Sequence, residues 1–178
     1  MNTAVVENRR PLIAAGTLLG IGLGGFVDGI VFHQLLQFHN MLSGAGYYPK
    51  TGLPPDMIIV NMQINMFWDR VFHSLTWCMT VGGVAMLWLV GKRSDVPWST
   101  PILVGGLFLG WGLFNLVEGI IDHHILHLHH VTETQDHLTW DITFLIAGAA
   151  FIVFGLLLIA SARNDETVRE PRLLHDGK

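Results

Sequence analysis

Four apolar runs, at about 11–37, 66–91, 101–128 and 139–162, leave this chain few folds to choose from. Wound as a helix at 1.5 Å per residue, each crosses a hydrocarbon core of about 30 Å. Lipid offers no hydrogen bonds, so a chain that enters it must satisfy its own backbone groups, and runs of this length do so as helices. Charged residues make up only 13% of the sequence, against about 25% in soluble domains, and they lie mostly between the runs. The expectation is an all-α integral membrane four-helix bundle, with the lipid bilayer as its first partner.

Pro11 and Pro101 suit first helical turns, where no backbone donor is lost. The stretch 92–97, Lys-Arg-Ser-Asp-Val-Pro, ends the second run and turns the chain. The run from Leu12 outlasts the roughly 15 residues of a signal-peptide core, with no small-residue cleavage pattern after it, so it reads as a retained span. Residues 1–10 read as a short leading segment. Residues 163–178, charged and containing Pro171, read as a solvated, poorly ordered tail. The lone Cys78 excludes an internal disulfide framework and a Cys-based zinc motif, and reads as a small packing residue.

Lysine and arginine placement sets an orientation. Arg9, Arg10, Lys92, Arg93, Arg163, Arg169, Arg172 and Lys178 mark one side, and only Lys50 and Arg70 the other. The positive-inside bias then expects both termini and the middle loop in the cytoplasm of a bacterial cell, with the protein in its inner membrane. The loops at about 38–65 and 129–138 face outward. The first is turn-rich, and Asp56 can cap a short helix over 57–65 that runs into the second span and lies over the bundle or packs at the interface.

The third run repeats the first. Residues 19–39 align with 109–129 at a constant offset of 90, matching Asp28 with Glu118, Gly29 with Gly119, His33 with His123 and His39 with His129. A weaker echo pairs Trp68-Asp69 with Trp140-Asp141 and Phe72 with Phe144. Apolar matches are cheap, but ionisable residues in register inside a membrane are not. The chain therefore reads as two helical hairpins, about 11–91 and 101–162, related by a pseudo-two-fold along the membrane normal. The glycines of both copies suit close helix packing.

Each helix carries one embedded carboxylate: Asp28, Asp69, Glu118 and Asp141. Counted along the helices, all four fall in one layer near the outward face. Such a layer is costly unless it is paired, hydrated or bound to a cation. Arg70 is the only basic residue nearby, but nine of the ten histidines lie at this face. Imidazole mixed with carboxylate suits zinc, iron, manganese or copper(II) rather than calcium or magnesium. The candidate ligands are Asp28, His33, His39, Asp69, His73, Glu118, His123, His124, His127 and His130, more than one ion needs, so two or more ions are expected. His129, His130 and His137 adjoin the aqueous loop and also fit solvated or supporting roles. A single Asp–His pair serves equally well as a structural hydrogen bond. Asp28 to His33 and Glu118 to His123 are i, i+5, about 140° apart on an ideal helix. Both helix faces are used, or a π-bulge near Gly29 and Gly119 rotates the pairs together.

The motifs 28–34 (Asp-Gly-Ile-Val-Phe-His-Gln), Asp69-x-x-x-His73 and 115–124, followed by His127-x-His129-His130, resemble a bacterial family of predicted four-span membrane proteins without an assigned activity. The resemblance covers nearly all of residues 12–160. It implies the four-span fold, and a link of some members with the assembly of copper-containing terminal oxidases. Asn40 stands where the second copy has His130, so the halves are not equivalent ligand sets. The histidine cluster is similar in part to those of membrane desaturases, and Asp69/His73 resembles a pair in the copper subunit of particulate methane monooxygenase.

Three functions follow as expectations. The first is a metal-dependent oxidoreductase or hydrolase acting on a lipophilic or small-molecule substrate, with Asp122, Asp141 or an unligated histidine as candidate general base. The second is a transporter, store or chaperone for copper or zinc, with Met41, Met57, Met62 and Met66 offering a softer access path. Methionine as core filler competes with that reading, and the cytoplasmic halves of the helices hold no ionisable residues for a continuous path. The third is a haem protein with His33 and His123 as axial ligands, which leaves the four carboxylates unexplained. No nucleic-acid partner is expected, and homo-oligomerisation stays open.

Overall fold

The computed structural model describes residues 8–47 and 54–162. Most of the leading segment, the turn around Tyr48-Pro49 and the tail from Arg163 lie outside the described residues. The described chain is helical: α1 (Arg10–Val27), α2 (Pro55–Val90), α3 (Thr100–Glu118) and α4 (His137–Ser161). α1 continues into a π-helical segment, Asp28–Leu35, and α3 into another, Gly119–Ile125. All four spans are long and apolar enough to cross a membrane.

Pro11 and Pro101 occupy the first turns of α1 and α3, as their missing N–H groups favour. Ser99 caps α3, accepting from the Ile102 amide at 3.5 Å. α2 differs from expectation. It begins at Pro55 rather than near 66 and runs unbroken for 36 residues, because nothing in 57–65 interrupts helical hydrogen bonding. Asp56 sits in its first turn and does not cap it. At about 54 Å, α2 is longer than a hydrocarbon core, so its first turns extend beyond the layer of Asp69.

The helices stand in the order α2–α1–α3–α4, with close backbone approach only between neighbours. α1 and α3 run parallel at the centre and touch through small residues. A Cβ on Gly16 meets the Gly106 backbone at 3.2 Å, and one on Gly106 meets Gly16 at 3.1 Å. These glycines are equivalent in the two copies, so the contact is self-complementary, as a two-fold requires. Gly20 against Leu107 and Gly110 against Thr17 repeat the relation. On the flanks, Gly83 rests on Leu19 just as Gly155 rests on Leu109. Packing of this kind, rather than a hydrophobic force, holds helices together in lipid.

Outward surfaces are apolar, including Trp77, Val84 and Trp88 on α2 and Ile146, Val153 and Leu157 on α4. Cys78 is exposed among them rather than packed inside. At one end, Leu12, Ala15, Val90, Val96, Ile102 and Ala162 form a buried apolar plug. Buried polar residues gather at the other end.

Candidate metal centre

The π segments bring the site together. Their wider turn puts residues five apart on nearly one face, so Asp28 and His33 meet, with Oδ2 and Nε2 at 3.1 Å. Of the two alternatives left by the i, i+5 spacing, the structure shows the π distortion. Neighbouring side chains close over both glycines: a Cβ on Gly29 falls 2.7 Å from the His73 ring, and one on Gly119 falls 2.7 Å from the end of Leu145. The segments close alike, with the Leu36 amide donating to the Val31 carbonyl and the Leu126 amide to Ile121, both at 2.8 Å. One residue of left-handed backbone follows in each, Gln37 at φ 51° and His127 at φ 49°. That reversal folds the chain back, so that His39 and His129 lie over the end of the bundle.

Six side chains then converge in three duplicated pairs: Asp28 with Glu118, His33 with His123, His39 with His129. None is more than 5% exposed. The donor atoms of Asp28, His33 and Glu118 lie within 4.8 Å of one another; so do those of His33, His39 and His129, and of Glu118, His123 and His129. His129 Nε2 is 3.5 Å from Glu118 Oε1.

The outer ring nitrogens are held by acceptors. His33 Nδ1 donates to Asp69 Oδ1 at 2.9 Å. His39 Nδ1 donates to the Val131 carbonyl at 2.9 Å, and His129 Nδ1 to the Met41 carbonyl at 3.2 Å. In all three rings Nε2 is buried and makes no hydrogen bond, as are Asp28 Oδ2 and Glu118 Oε2. His33 Nε2 and Asp28 Oδ2 are close yet not aligned to bond each other. A proton on Nδ1 leaves the Nε2 lone pair free, the state a metal ligand needs. Burial pushes the His39 imidazole down to about 4 and His129 well below its ordinary range, so both rings stay neutral at neutral pH. Grouped in this way, these donors could hold a metal ion.

Asp69 and Asp141 stand behind the histidines. Asp69 accepts from His33 Nδ1, from the Met41 amide at 3.0 Å and from Asn40 Nδ2 at 3.3 Å. Asp141 accepts from the Val131 amide at 2.9 Å and from His130 Nδ1 at 2.7 Å, and lies 3.3 Å from His123 Nδ1. Both Asp141 oxygens thus face imidazoles, Oδ1 that of His123 and Oδ2 that of His130. Asp122 is half-buried on the second π segment. His73 turns away from the convergent group, its Nδ1 bonded to the Asp69 carbonyl at 2.6 Å. His124 and His127 also lie outside the convergent groups among the described residues, and His130 belongs to a separate one with His137 and Asp141. His129, treated from sequence as loop-adjacent, is fully buried at the centre. Its register with His39 was the available signal.

A cavity of about 650 Å³ opens beside the first half, walled by His33, Gln34, Asn40, Asp69, Arg70 and His73, with Met62 and Met66 along α2. It reaches the back of His33.

No curated protein and no solved structure matches the chain. A sequence-family profile does match, over residues 15–162, and the four apolar spans with their duplicated motifs lie within it. The chain thus belongs to the family described as predicted membrane protein (DUF2243).

Proposed function

We propose that this protein is an integral membrane metalloenzyme with a two-ion transition-metal centre held by Asp28, His33, His39, Glu118, His123 and His129. The observation that carries the reading is the convergence of buried Nε2 atoms that make no hydrogen bond, on rings whose Nδ1 atoms are fixed by acceptors, with the carboxylates of Asp28 and Glu118 beside them. His33 Nε2 and His129 Nε2 lie 3.1 and 3.5 Å from the carboxylates of Asp28 and Glu118, and His39 Nε2 faces the same group with no hydrogen-bond partner. Acid groups this close in a low-dielectric interior need a cation or a shared proton between them. Six donors in duplicated pairs exceed the need of one four-coordinate ion and suit two. A bound centre of this composition supplies Lewis-acid or redox chemistry. The chain orients it through Asp69 and Asp141 and admits small molecules by the cavity beside His33. We further propose that the centre lies under the outward face of a bacterial inner membrane, with both termini cytoplasmic, on the strength of the lysine and arginine bias.

Metal handling is the second reading, favoured by Met62 and Met66 on the cavity wall beside His73. The haem reading loses support from the packing. The His39 and His129 rings each contact both His33 and His123, at centroid separations of 4.5–6.4 Å, and leave no slot for a porphyrin between those two.

The test is elemental analysis of protein purified in mild detergent without affinity-tag histidines, with an absorption spectrum. Two transition-metal ions per chain that resist chelation are expected. Ready exchange instead favours handling, and a Soret band or the absence of stoichiometric metal overturns the proposal.

A further inference from the structure

The duplication contains its own comparison. Where the first half places Gln34, Gln37 and Asn40, the second places His124, His127 and His130. Aligning Asp69 with Asp141 also sets Asn65 against His137. Four amides in one copy are four imidazoles in the other. The first copy shows that the fold needs only amides here: Asn40 Nδ2 bonds Asp69, and Asn65 Oδ1 accepts from the Leu42 amide at 2.9 Å. The four histidines therefore exceed the structural requirement.

Two of the four, His130 and His137, gather around Asp141. The His130 and His137 rings stack at 4.1 Å between centroids, 28° from parallel, and His127 approaches His130 at 6.1 Å. Asp141 is shared between two surroundings. Its Oδ1 faces inward to His123 and the Val131 amide, while Oδ2 faces outward to His130 at 2.7 Å and His137 at 3.8 Å. Donor atoms of His130, His137 and Asp141 lie within 4.8 Å of one another. His137 Nδ1 is buried without a hydrogen bond, although its side chain is 44% exposed overall. The group thus reaches solvent on one side and the central cluster on the other.

We infer that His130, His137 and Asp141 form a second, peripheral site for an imidazole-seeking divalent transition-metal ion, from which the buried centre is loaded. Two imidazoles and a carboxylate with open positions suit zinc, cobalt or copper(II) held exchangeably. Asp141, touching both groups through different oxygens, links the peripheral site to His123. The peripheral site does not depend on the central reading, since none of the six central ligands belongs to it; only the loading role does.

The test is titration of the metal-stripped full chain in detergent with cobalt(II), following its visible absorption bands. In the variant His130→Asn with His137→Asn, which installs the amides of the first half, one equivalent of cobalt should be lost and the centre should fill more slowly. A His33→Ala, Glu118→Gln variant should keep that equivalent, so the peripheral site survives even where the centre binds nothing. If the double variant destabilises the protein, His137→Asn alone, at a partly exposed ring, should still lose it. Unchanged stoichiometry and spectrum in these variants overturn the inference.

Discussion

His39 and His129 stack face to face across the duplication, their centroids 4.5 Å apart and their planes 6° from parallel. Each is oriented by the opposite half: His39 by the Val131 carbonyl and His129 by the Met41 carbonyl. The chains that follow the two π segments stay bonded to their own hairpins yet meet over the end of the bundle, and neither hairpin completes the cluster alone. His129→Ala should therefore weaken metal binding as severely as His39→Ala, by more than the roughly 10–100-fold typical of losing a supporting partner. His124→Ala should leave the central ions in place. Chelator competition on purified protein measures all three, and equal retention in His129→Ala refutes the proposed ligand set.

Asp69 and Asp141 act through the rings they orient. Asp69→Asn preserves size and an acceptor oxygen for the Met41 amide, yet removes the charge that supports His33. Affinity for the ion at His33 should fall about 10–100-fold, with little change in helix content by circular dichroism. An unchanged affinity means the carboxylate serves only the fold.

The neutral buried imidazoles predict acid sensitivity of the metal-free protein. Burial holds His39 near 4, below its ordinary 6.5, and lowers His129 as well. Between those values an unfolded chain takes up protons that the folded chain refuses, so stability falls as pH drops. The contribution is complete above 6.5 and is lost progressively towards pH 4, at up to about 1.4 kcal/mol per pH unit for each proton. Thermal unfolding of stripped protein across that range should show the slope, and His39→Gln should reduce it. A flat profile contradicts the burial.

Packing of α1 on α3 depends on absent side chains. Gly20→Val and Gly110→Val place branched carbons against the backbones of Leu107 and Thr17. Each should destabilise by at least the roughly 1–3 kcal/mol of an overpacked interior, and to a similar degree because the positions are equivalent. Melting temperatures in detergent compare them; a wide disparity counts against the two-fold.

Orientation can be read by labelling in a Cys78→Ser background. An impermeant maleimide applied to spheroplasts should modify Gln135→Cys and spare Lys92→Cys until the membrane is opened. The reverse pattern inverts the proposed topology.

Much was legible in the sequence because lipid admits so few structures. Run length and charge placement dictate four helices, and ionisable residues recurring in register expose the duplication. The i, i+5 spacing of Asp28 with His33 and of Glu118 with His123 left two options, use of both helix faces or a π segment, since an ideal helix would hold each pair apart. Which histidines meet was not legible. His73 shares a helix face with Asp69 but bonds back to its carbonyl, and His129 passes for a loop residue until Gln37 and His127 reverse the chain. Periodicity describes one helix at a time, whereas those contacts depend on backbone reversals and on loops that meet between halves. The sequence by itself therefore determined the spans, the repeat and the layer of ionisable groups. Only the tertiary structure decided which of them face one another, because convergence is set by left-handed turns and glycine-to-glycine approach that no local pattern encodes.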